Sequence, residues 1–252
     1  MNALETAPEP GETLDRLAAE WWIFQLERGH RYSTDDVLVA WTACNALPGA
    51  RRVLDLGAGV GSVGLMTLLG VATDARLTSI EVQQRSAALM RKTITANDLV
   101  DRVQVHCGDL REPNLLEAGE RFELIVANPP YLPVGDALVS PHPQRAAARL
   151  ELHGDVADFC RVAAARLEPD GRFCFCHAAA DPRPEPAVIE AGLCVLARRP
   201  VVFREGQKPA IALYVCGREG PRCDPTTLTV RGRNGERTEE FRAVRRAMLI
   251  EA

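Results

Sequence analysis

Residues 122–131 read Phe122-Glu123-Leu124-Ile125-Val126-Ala127-Asn128-Pro129-Pro130-Tyr131. The first six residues are a short, mostly apolar run with β-branched side chains, which is typical of a buried strand. The strand must end at the two prolines, because neither has a backbone N–H to donate and each fixes its own φ. The sequence therefore predicts a buried strand that stops at a rigid elbow, with an amide side chain before the elbow and an aromatic ring after it.

This elbow suits a flat substrate that carries an amino group. The Asn128 carboxamide oxygen and the Pro129 carbonyl can both accept a hydrogen bond from one NH₂ group, and Tyr131 can stack on the ring that bears it. Two such acceptors draw the nitrogen towards a pyramidal geometry, which frees its lone pair for attack without a general base. The candidate catalytic residues are therefore Asn128, Pro129, Pro130 and Tyr131. Taken alone, these four residues also fit an ordinary strand that ends in a Pro-Pro turn.

Three earlier segments place glycine or acidic residues at the ends of predicted strands. The strand Arg52–Leu56 leads into Gly57-Ala58-Gly59-Val60-Gly61 and then a helix, so that backbone can approach a ligand closely. The GxGxG spacing differs from the dinucleotide GxGxxG, and a pyrophosphate is not the first expectation. The second strand ends at Glu81, where an acid can accept from both hydroxyls of a ribose. The third leads into Asp109 and Leu110, where the acid can accept from an adenine amino group.

The order of these elements predicts an α/β fold with a doubly wound seven-stranded sheet that binds its ligands at the carboxyl edge. Residues 1–12 are expected to be disordered, residues 13–50 to form an N-terminal cap segment, and residues 51–252 to form the main domain with a basic C-terminal tail. Within the cap segment, the sequence favours a helix over Thr13–Glu20 and a strand over Trp22–Leu26. Thr34-Asp35-Asp36 supplies capping residues for a helix over Val37–Leu47.

Charge is distributed unevenly along the 252 residues, whose formal net charge is −4. From Arg198 onwards there are twelve Lys and Arg against seven Asp and Glu, so this tail carries +5 and the rest of the chain −9. An acidic protein is not a general polyanion binder, but a basic tail is compatible with a nucleic-acid footprint as well as with a solvated helix face.

The composition also indicates the cellular compartment of the protein. There is no apolar run long enough to span a bilayer and no signal peptide at the N-terminus, so a cytoplasmic location and no membrane partner are expected. The eight cysteines show no CxxC spacing. Because Cys174, Cys176 and Cys194 lie in apolar segments, reduced cysteines are the expectation and no metal site is predicted.

The glycine loop, Glu81, Asp109 and the Asn-Pro-Pro-Tyr motif at successive strand ends resemble the class I S-adenosylmethionine-dependent methyltransferases. Among these, the motif resembles that of the amino-methyltransferases, whose seven-stranded sheet has an antiparallel last strand. Three further stretches are similar to the bacterial tRNA1(Val) adenine-37 N6-methyltransferase family. They are Gly29-His30-Arg31-Tyr32-Ser33-Thr34-Asp35-Asp36-Val37-Leu38-Val39-Ala40, the stretch from Ser140-Pro141 through Arg145-Ala146-Ala147-Ala148-Arg149-Leu150-Glu151, and Arg237-Thr238-Glu239-Glu240-Phe241.

The resemblance implies transfer of a methyl group from S-adenosylmethionine to an exocyclic adenine N6 amine in tRNA. The residues expected to contact the cofactor are Asp35, Asp55, Gly57, Ala58, Gly59, Gly61, Glu81, Asp109, Leu110 and Asn128. Four residues are expected near the mouth of the pocket, where they could meet phosphates of the RNA: His30, Arg31, Arg145 and Arg149. For each of these four residues, the alternative to an RNA contact is an ordinary charged side chain on the protein surface. The basic tail is expected on the same face as Arg145 and Arg149.

Three other functions are considered. Release-factor glutamine N5-methyltransferases use the same motif on an amide, but they carry a separate helical N-terminal domain. The strand before the glycine loop begins here near Val53, which leaves no room for such a domain. A non-catalytic cofactor-binding module is disfavoured because Asn128 and Tyr131 are both present. A small-molecule N-methyltransferase stays open, and the acceptance of a labelled methyl group by tRNA would discriminate it.

Overall fold

The computed structural model describes residues 7–132 and 143–250. The strands are β1 (Glu12–Ala18), β2 (Trp21–Leu26), β3 (Arg52–Leu56), β4 (Arg76–Glu81), β5 (Val103–Cys107), β6 (Phe122–Ala127), β7 (Leu167–Ala178), β8 (Cys194–Val202), β9 (Ile211–Gly217) and β10 (Leu228–Thr229). The helices are α1 (Thr34–Ala46), α2 (Ser62–Gly70), α3 (Gln84–Ala96), α4 (Pro143–Arg149), α5 (Val156–Arg166), α6 (Pro184–Glu190) and α7 (Glu239–Ala247). No helix of this described part is long and apolar enough to cross a membrane.

The main sheet has the strand order β10-β8-β9-β7-β6-β3-β4-β5. Strands β3 to β7 pair in parallel, whereas β9 is antiparallel to both β7 and β8. This arrangement confirms the predicted α/β fold, in which the last of seven strands is antiparallel. The two-residue strand β10 adds an eighth member beside β8.

The centre of the sheet brings the segments singled out from the sequence together. Strand β3 pairs with β4 on one side and with β6 on the other, and Leu56 lies beside both Ile80 and Ala127. The residues that follow, Gly57, Glu81 and Asn128, therefore leave the sheet at neighbouring positions. The chain order reverses at this point, which is where doubly wound sheets bind their ligands.

Helices cover both faces of the sheet. On one face α1, α2 and α3 pack through buried residues such as Leu38, Leu65 and Met90. On the other face Phe159 of α5 packs with Phe173 and Phe175 of β7. Because both faces are covered, the central strands are mostly apolar, with a few buried polar residues such as Asp55, Thr78 and Ser79.

The prediction of a helix over Thr13–Glu20 is wrong. Strand β1 occupies Glu12–Ala18 and pairs with β2 in an antiparallel hairpin that turns through Ala19 at φ 45°. The Leu/Ala/Glu composition favours a helix locally, but pairing with β2 and docking on α3 override that preference. Glu12, placed by the sequence in a disordered segment, is instead a strand residue whose buried carboxylate pairs with Arg85 at 2.8 Å and with Lys92 at 2.7 Å.

Candidate active site

A cleft opens at the carboxyl ends of β3, β4, β5 and β6. We refer to it as the glycine-loop cleft. Six of the ten residues expected at the cofactor line it: Gly57, Ala58, Gly59, Glu81, Leu110 and Asn128. The structure thus brings together residues from four strand ends that are far apart in the sequence.

The glycine loop forms one wall of this cleft with its backbone. Gly57 and Gly61 have positive φ angles of 67° and 91°, which only glycine adopts without strain. A Cβ at Gly61 would lie 2.8 Å from Met90 Cγ, and one at Gly57 would lie 3.1 Å from the Phe159 ring. The loop therefore tolerates no side chain at these positions, and Gly61 stands behind the wall rather than lining the cleft.

Glu81 links the glycine loop to the beginning of α3. Its Oε2 accepts a hydrogen bond from the Gly59 N–H at 2.8 Å, and its Oε1 accepts one from the Gln83 N–H at 2.7 Å. Burial raises the pKa of this carboxyl, and the two backbone donors partly oppose the rise. The carboxylate is therefore held in one orientation on the wall of the cleft.

Asp55 and Asp109, which were expected at the cofactor, do not line the glycine-loop cleft. Asp55 points beneath the loop, where its Oδ2 accepts from the Gly64 N–H at 2.9 Å and burial raises the pKa well above its ordinary value. Asp109 turns towards Arg111, whose Nε donates to Oδ1 at 2.9 Å and whose hydrogen bonds lower the Asp109 pKa. Residues at the ends of neighbouring strands lie at the same edge of the sheet. The direction of each carboxylate, however, depends on its side-chain rotamer and on the hydrogen-bond donor that it contacts.

A second cavity, of about 540 Å³, lies beside the Pro-Pro elbow, and we refer to it as the elbow cavity. All four candidate catalytic residues line it: Asn128, Pro129, Pro130 and Tyr131. His30, Asn128, Pro130 and Ala148 border both the elbow cavity and the glycine-loop cleft. The two spaces therefore adjoin at Asn128.

The Asn128 carboxamide is held from two sides. Its Nδ2 donates to Asp36 Oδ1 at 2.6 Å, and its Oδ1 accepts from the Cys176 thiol at 2.9 Å. A carboxylate only accepts hydrogen bonds, so the amide NH₂ must face Asp36. Burial raises the pKa of the Cys176 thiol, which keeps it protonated as a donor. The orientation of the carboxamide is thus fixed, and a second lone pair of Oδ1 remains for another donor.

Asp36 is a site residue that the sequence analysis did not single out. It is 3% exposed, and its Oδ2 accepts from the Ser33 N–H and from the Ser62 Oγ, each at 3.0 Å. It therefore ties the beginning of α1 to the beginning of α2 and to the end of β6. The signal that could have found it is the capping box formed by Ser33 and Asp36.

Asp35, expected at the cofactor, lies instead on the wall of the elbow cavity with Tyr131. Burial, followed by the charge of Asp36, raises the Asp35 pKa to about 6. Burial also raises the pKa of Tyr131 to about 12, so the phenol stays neutral. The Tyr131 ring packs edge-on against His177 at 5.8 Å between centroids, and burial lowers the His177 pKa to about 4.

Helix α4, which was not predicted, places the residues that follow the elbow. Gln144 is buried; its Oε1 accepts from the His30 N–H at 2.8 Å, and its Nε2 donates to Ser86 Oγ at 3.1 Å. His30 is thereby held between the two spaces, and burial lowers its pKa. The first part of the predicted substrate loop, residues 133–142, lies outside the described residues.

The three arginines expected at the pocket mouth lie in different places. Arg149 lines the elbow cavity, and Arg145 is exposed with its Nη2 donating to the Gly29 carbonyl at 3.2 Å. Arg31 does not reach the mouth, because its guanidinium donates to Thr13 Oγ1 and Asp15 Oδ2 on β1, each at 2.8 Å.

Within residues 7–132 and 143–250, no group of three or more His, Cys, Asp or Glu side chains is arranged to hold a metal ion.

Comparison with known proteins gives consistent matches. Residues 38–185 match the model of the methyltransferase small domain family. Proteins named tRNA1(Val) (adenine(37)-N6)-methyltransferase from Shigella sonnei (strain Ss046) and Escherichia coli (strain SE11) are each 26% identical over 87% of this chain and 88% of theirs. A crystal structure described as a predicted O-methyltransferase from Agrobacterium tumefaciens superposes with a TM-score of 0.59 at 19% identity, over 87% of this chain and 99% of that one. At this level of sequence identity, the superposition shows that the two proteins share a fold.

Proposed function

Because the chain belongs to the methyltransferase small domain family, we propose that it transfers a methyl group from S-adenosylmethionine to the exocyclic N6 amine of an adenine in tRNA. The names of the relatives that align over 87% of the chain support this acceptor. The basic tail supports a polyanionic substrate for a chain whose net charge is otherwise negative. A cytoplasmic location is part of the proposal.

The residues of the glycine-loop cleft fit S-adenosylmethionine. Its backbone wall at Gly57 and Gly59 lets a ligand approach closely, and Glu81 offers a carboxylate held in one orientation to the ribose hydroxyls. Leu110 offers an apolar surface to the adenine. When bound there, the cofactor supplies an activated methyl group on its sulfonium.

The observation that carries the proposal is the fixed carboxamide of Asn128 at the junction of the two spaces. With Nδ2 committed to Asp36, Oδ1 is the atom that can accept from an amine in the elbow cavity. The Pro129 carbonyl is the second acceptor for the same NH₂ group. Both acceptors are preorganised, so catalysis rests on positioning and electrostatics rather than on a general base.

The elbow cavity also fits a flat base. Tyr131 stays neutral at any pH at which the protein would work and can stack on the ring. An adenine must leave its stack to enter a cavity of this kind, which favours an unpaired loop nucleotide over one in a duplex. Arg149 on the wall of the elbow cavity is placed to meet a phosphate of the same strand.

The test is incubation with methyl-labelled S-adenosylmethionine and, in parallel, bulk tRNA, release factor or no macromolecule. We expect label in tRNA only, released as N6-methyladenosine on digestion to nucleosides. Asn128→Ala serves as the matched inactive control. Label in the release factor, or in a small molecule with none in tRNA, would replace the proposed acceptor.

A further inference from the structure

A third cavity, of about 720 Å³, borders the first turn of α1. We refer to it as the arginine pocket. Its lining includes Thr34, Gln207 and four arginines: Arg204, Arg231, Arg237 and Arg245. The Arg231 Nη1 donates to the Gly235 carbonyl at 2.8 Å. Thr34 connects the pocket to the site, because its chain neighbours Ser33 and Asp35 line the elbow cavity. Consecutive Cα atoms are about 3.8 Å apart, so the two cavities flank a single helical turn.

The backbone brings these arginines together. Arg231 and Arg237 face each other across an isolated antiparallel bridge, closed by a turn in which the Gly235 N–H donates to the Gly232 carbonyl at 3.0 Å. Arg204 follows β8, and Arg245 projects from α7. Arg237 and Arg245 both line the pocket, and burial together with the charge of Arg237 lowers the pKa of Arg245.

The pocket differs from the rest of the basic tail in how its charge is balanced. Among the described residues, no carboxylate lines the pocket, and Arg204, Arg231 and Arg237 form no ion pair. Other arginines of the tail are paired with acids: Arg199 with Glu240, Arg222 with Glu185, Arg233 with Glu205, and Arg242 and Arg246 with Glu239. Among the described residues of the tail, Lys208 and Arg218 also form no ion pair but lie outside the pocket, so three of the tail's five cations of this kind, Arg204, Arg231 and Arg237, line it.

We propose that the arginine pocket binds a backbone phosphate of the RNA strand, close to the nucleotide whose base enters the elbow cavity. Guanidinium groups present planar forks of donors that match phosphate oxygens, and four arginines line this one pocket. The inference rests on the proposed function, since it takes RNA as the substrate.

The test compares two double variants that remove the same charge from the same tail. Arg204→Ala with Arg237→Ala removes two members of the pocket, whereas Arg233→Ala with Arg242→Ala removes two arginines that are paired with acids outside it. Binding of fluorescein-labelled tRNA is followed by anisotropy over a range of salt concentrations, in the presence of S-adenosylhomocysteine. Thermal unfolding and S-adenosylmethionine affinity show that each variant is folded.

We expect the pocket variant to bind tRNA roughly 10-fold or more weakly, with the slope of log K against log salt reduced by about 1. The control should stay within about 3-fold of the unsubstituted protein, as expected for exposed ion pairs. Equal weakening in both variants, or no tRNA binding by the unsubstituted protein, would overturn the inference. If tRNA binds through the pocket but accepts no methyl group, the inference stands and the proposed function fails.

Discussion

Asp36 and Asn128 are 92 positions apart in the sequence, and their side chains are joined by a hydrogen bond of 2.6 Å from Asn128 Nδ2 to Asp36 Oδ1. This contact connects the capping box of α1 to the catalytic elbow after β6. The residue that folds the N-terminal helix is therefore also the residue that sets which atom of Asn128 faces the acceptor. Helix stability and methyl transfer are expected to depend on the same carboxylate.

Replacement of Asn128 by alanine should separate binding from chemistry. The Asn128→Ala variant removes one preorganised acceptor of the amine, so kcat should fall on the order of 100-fold or more. The Kd for S-adenosylmethionine should change little, because the carboxamide acts on the acceptor rather than on the cofactor. Single-turnover rates and calorimetry provide the two measurements, and near-normal turnover would exclude the mechanism.

Asp36→Asn should lower both activity and stability. One of its two acceptor oxygens becomes a donor, so either Asn128 or the Ser33 N–H loses its partner. We expect a fall in kcat on the order of 10- to 100-fold from misplacement of Asn128, and a loss of about 1–3 kcal/mol of unfolding free energy.

The matched stability control for Asp36→Asn is Thr238→Ala, which removes the side-chain cap of α7. Loss of this cap should cost about 1 kcal/mol and leave kcat unchanged. If the two variants lose stability to a similar extent and neither loses kcat, Asp36 has only a structural role.

Glu81 and Asp109 should differ in their contribution to cofactor affinity, although both are acids that follow neighbouring strands. Glu81→Ala should weaken S-adenosylmethionine binding by roughly 1.5–3 kcal/mol for each charge-assisted hydrogen bond lost. Asp109→Ala should weaken it less, because Asp109 is paired with Arg111 and does not line the cleft. Calorimetric titration of both variants tests this, and equal losses would show that Asp109 turns to the cofactor on binding.

Asp35 should make stability depend on pH. Its pKa in the folded protein is about 6 against an ordinary value of 3.8, so the folded state disfavours the charged form. The free energy of unfolding is therefore highest below about pH 3.8, where the Asp35 carboxyl is protonated in both the folded and the unfolded protein. It falls as the pH rises towards 6, and it stays low above that pH.

Asp35→Asn should therefore stabilise the protein, with a gain that grows between about pH 3.8 and pH 6 and is constant above. A shift of this size corresponds to roughly 1.5–3 kcal/mol at pH 8. Denaturant unfolding of both proteins at several pH values measures the difference. A gain that does not vary with pH would contradict the raised pKa.

Substitution of Arg149 should affect the KM for tRNA, whereas substitution of Arg31 should affect only the stability of the protein. Arg149→Ala should raise the KM for tRNA and flatten its salt dependence, because Arg149 lines the elbow cavity. Arg31→Ala should leave this KM unchanged and lower stability by at most about 1 kcal/mol, since its guanidinium pairs with Asp15 in a partly exposed site. A salt-independent KM in the unsubstituted protein would remove the electrostatic basis of this prediction.

The sequence by itself determined the elements whose chemistry is local. The apolar run at Phe122–Ala127 can only continue until Pro129 removes the backbone donors, and the glycines of residues 57–61 permit the positive φ angles of a tight loop. The order of strands and helices then determined the doubly wound sheet, because right-handed crossovers leave few other topologies. The position of Glu81 at the cleft follows from the same reasoning.

Only the tertiary structure decided which side chains of these segments face the site. Asp35 and Asp36 are neighbours in α1, but successive helical residues point about 100° apart, so one lines the elbow cavity and the other holds Asn128. The hairpin of β1 and β2 replaced a locally favoured helix because its strands pair with each other and pack on α3. The arginine pocket joins Thr34 to residues near 204 and 237, and no local pattern links positions so far apart. Contacts of this kind depend on the direction of each side chain after the chain has folded, which sequence spacing does not specify.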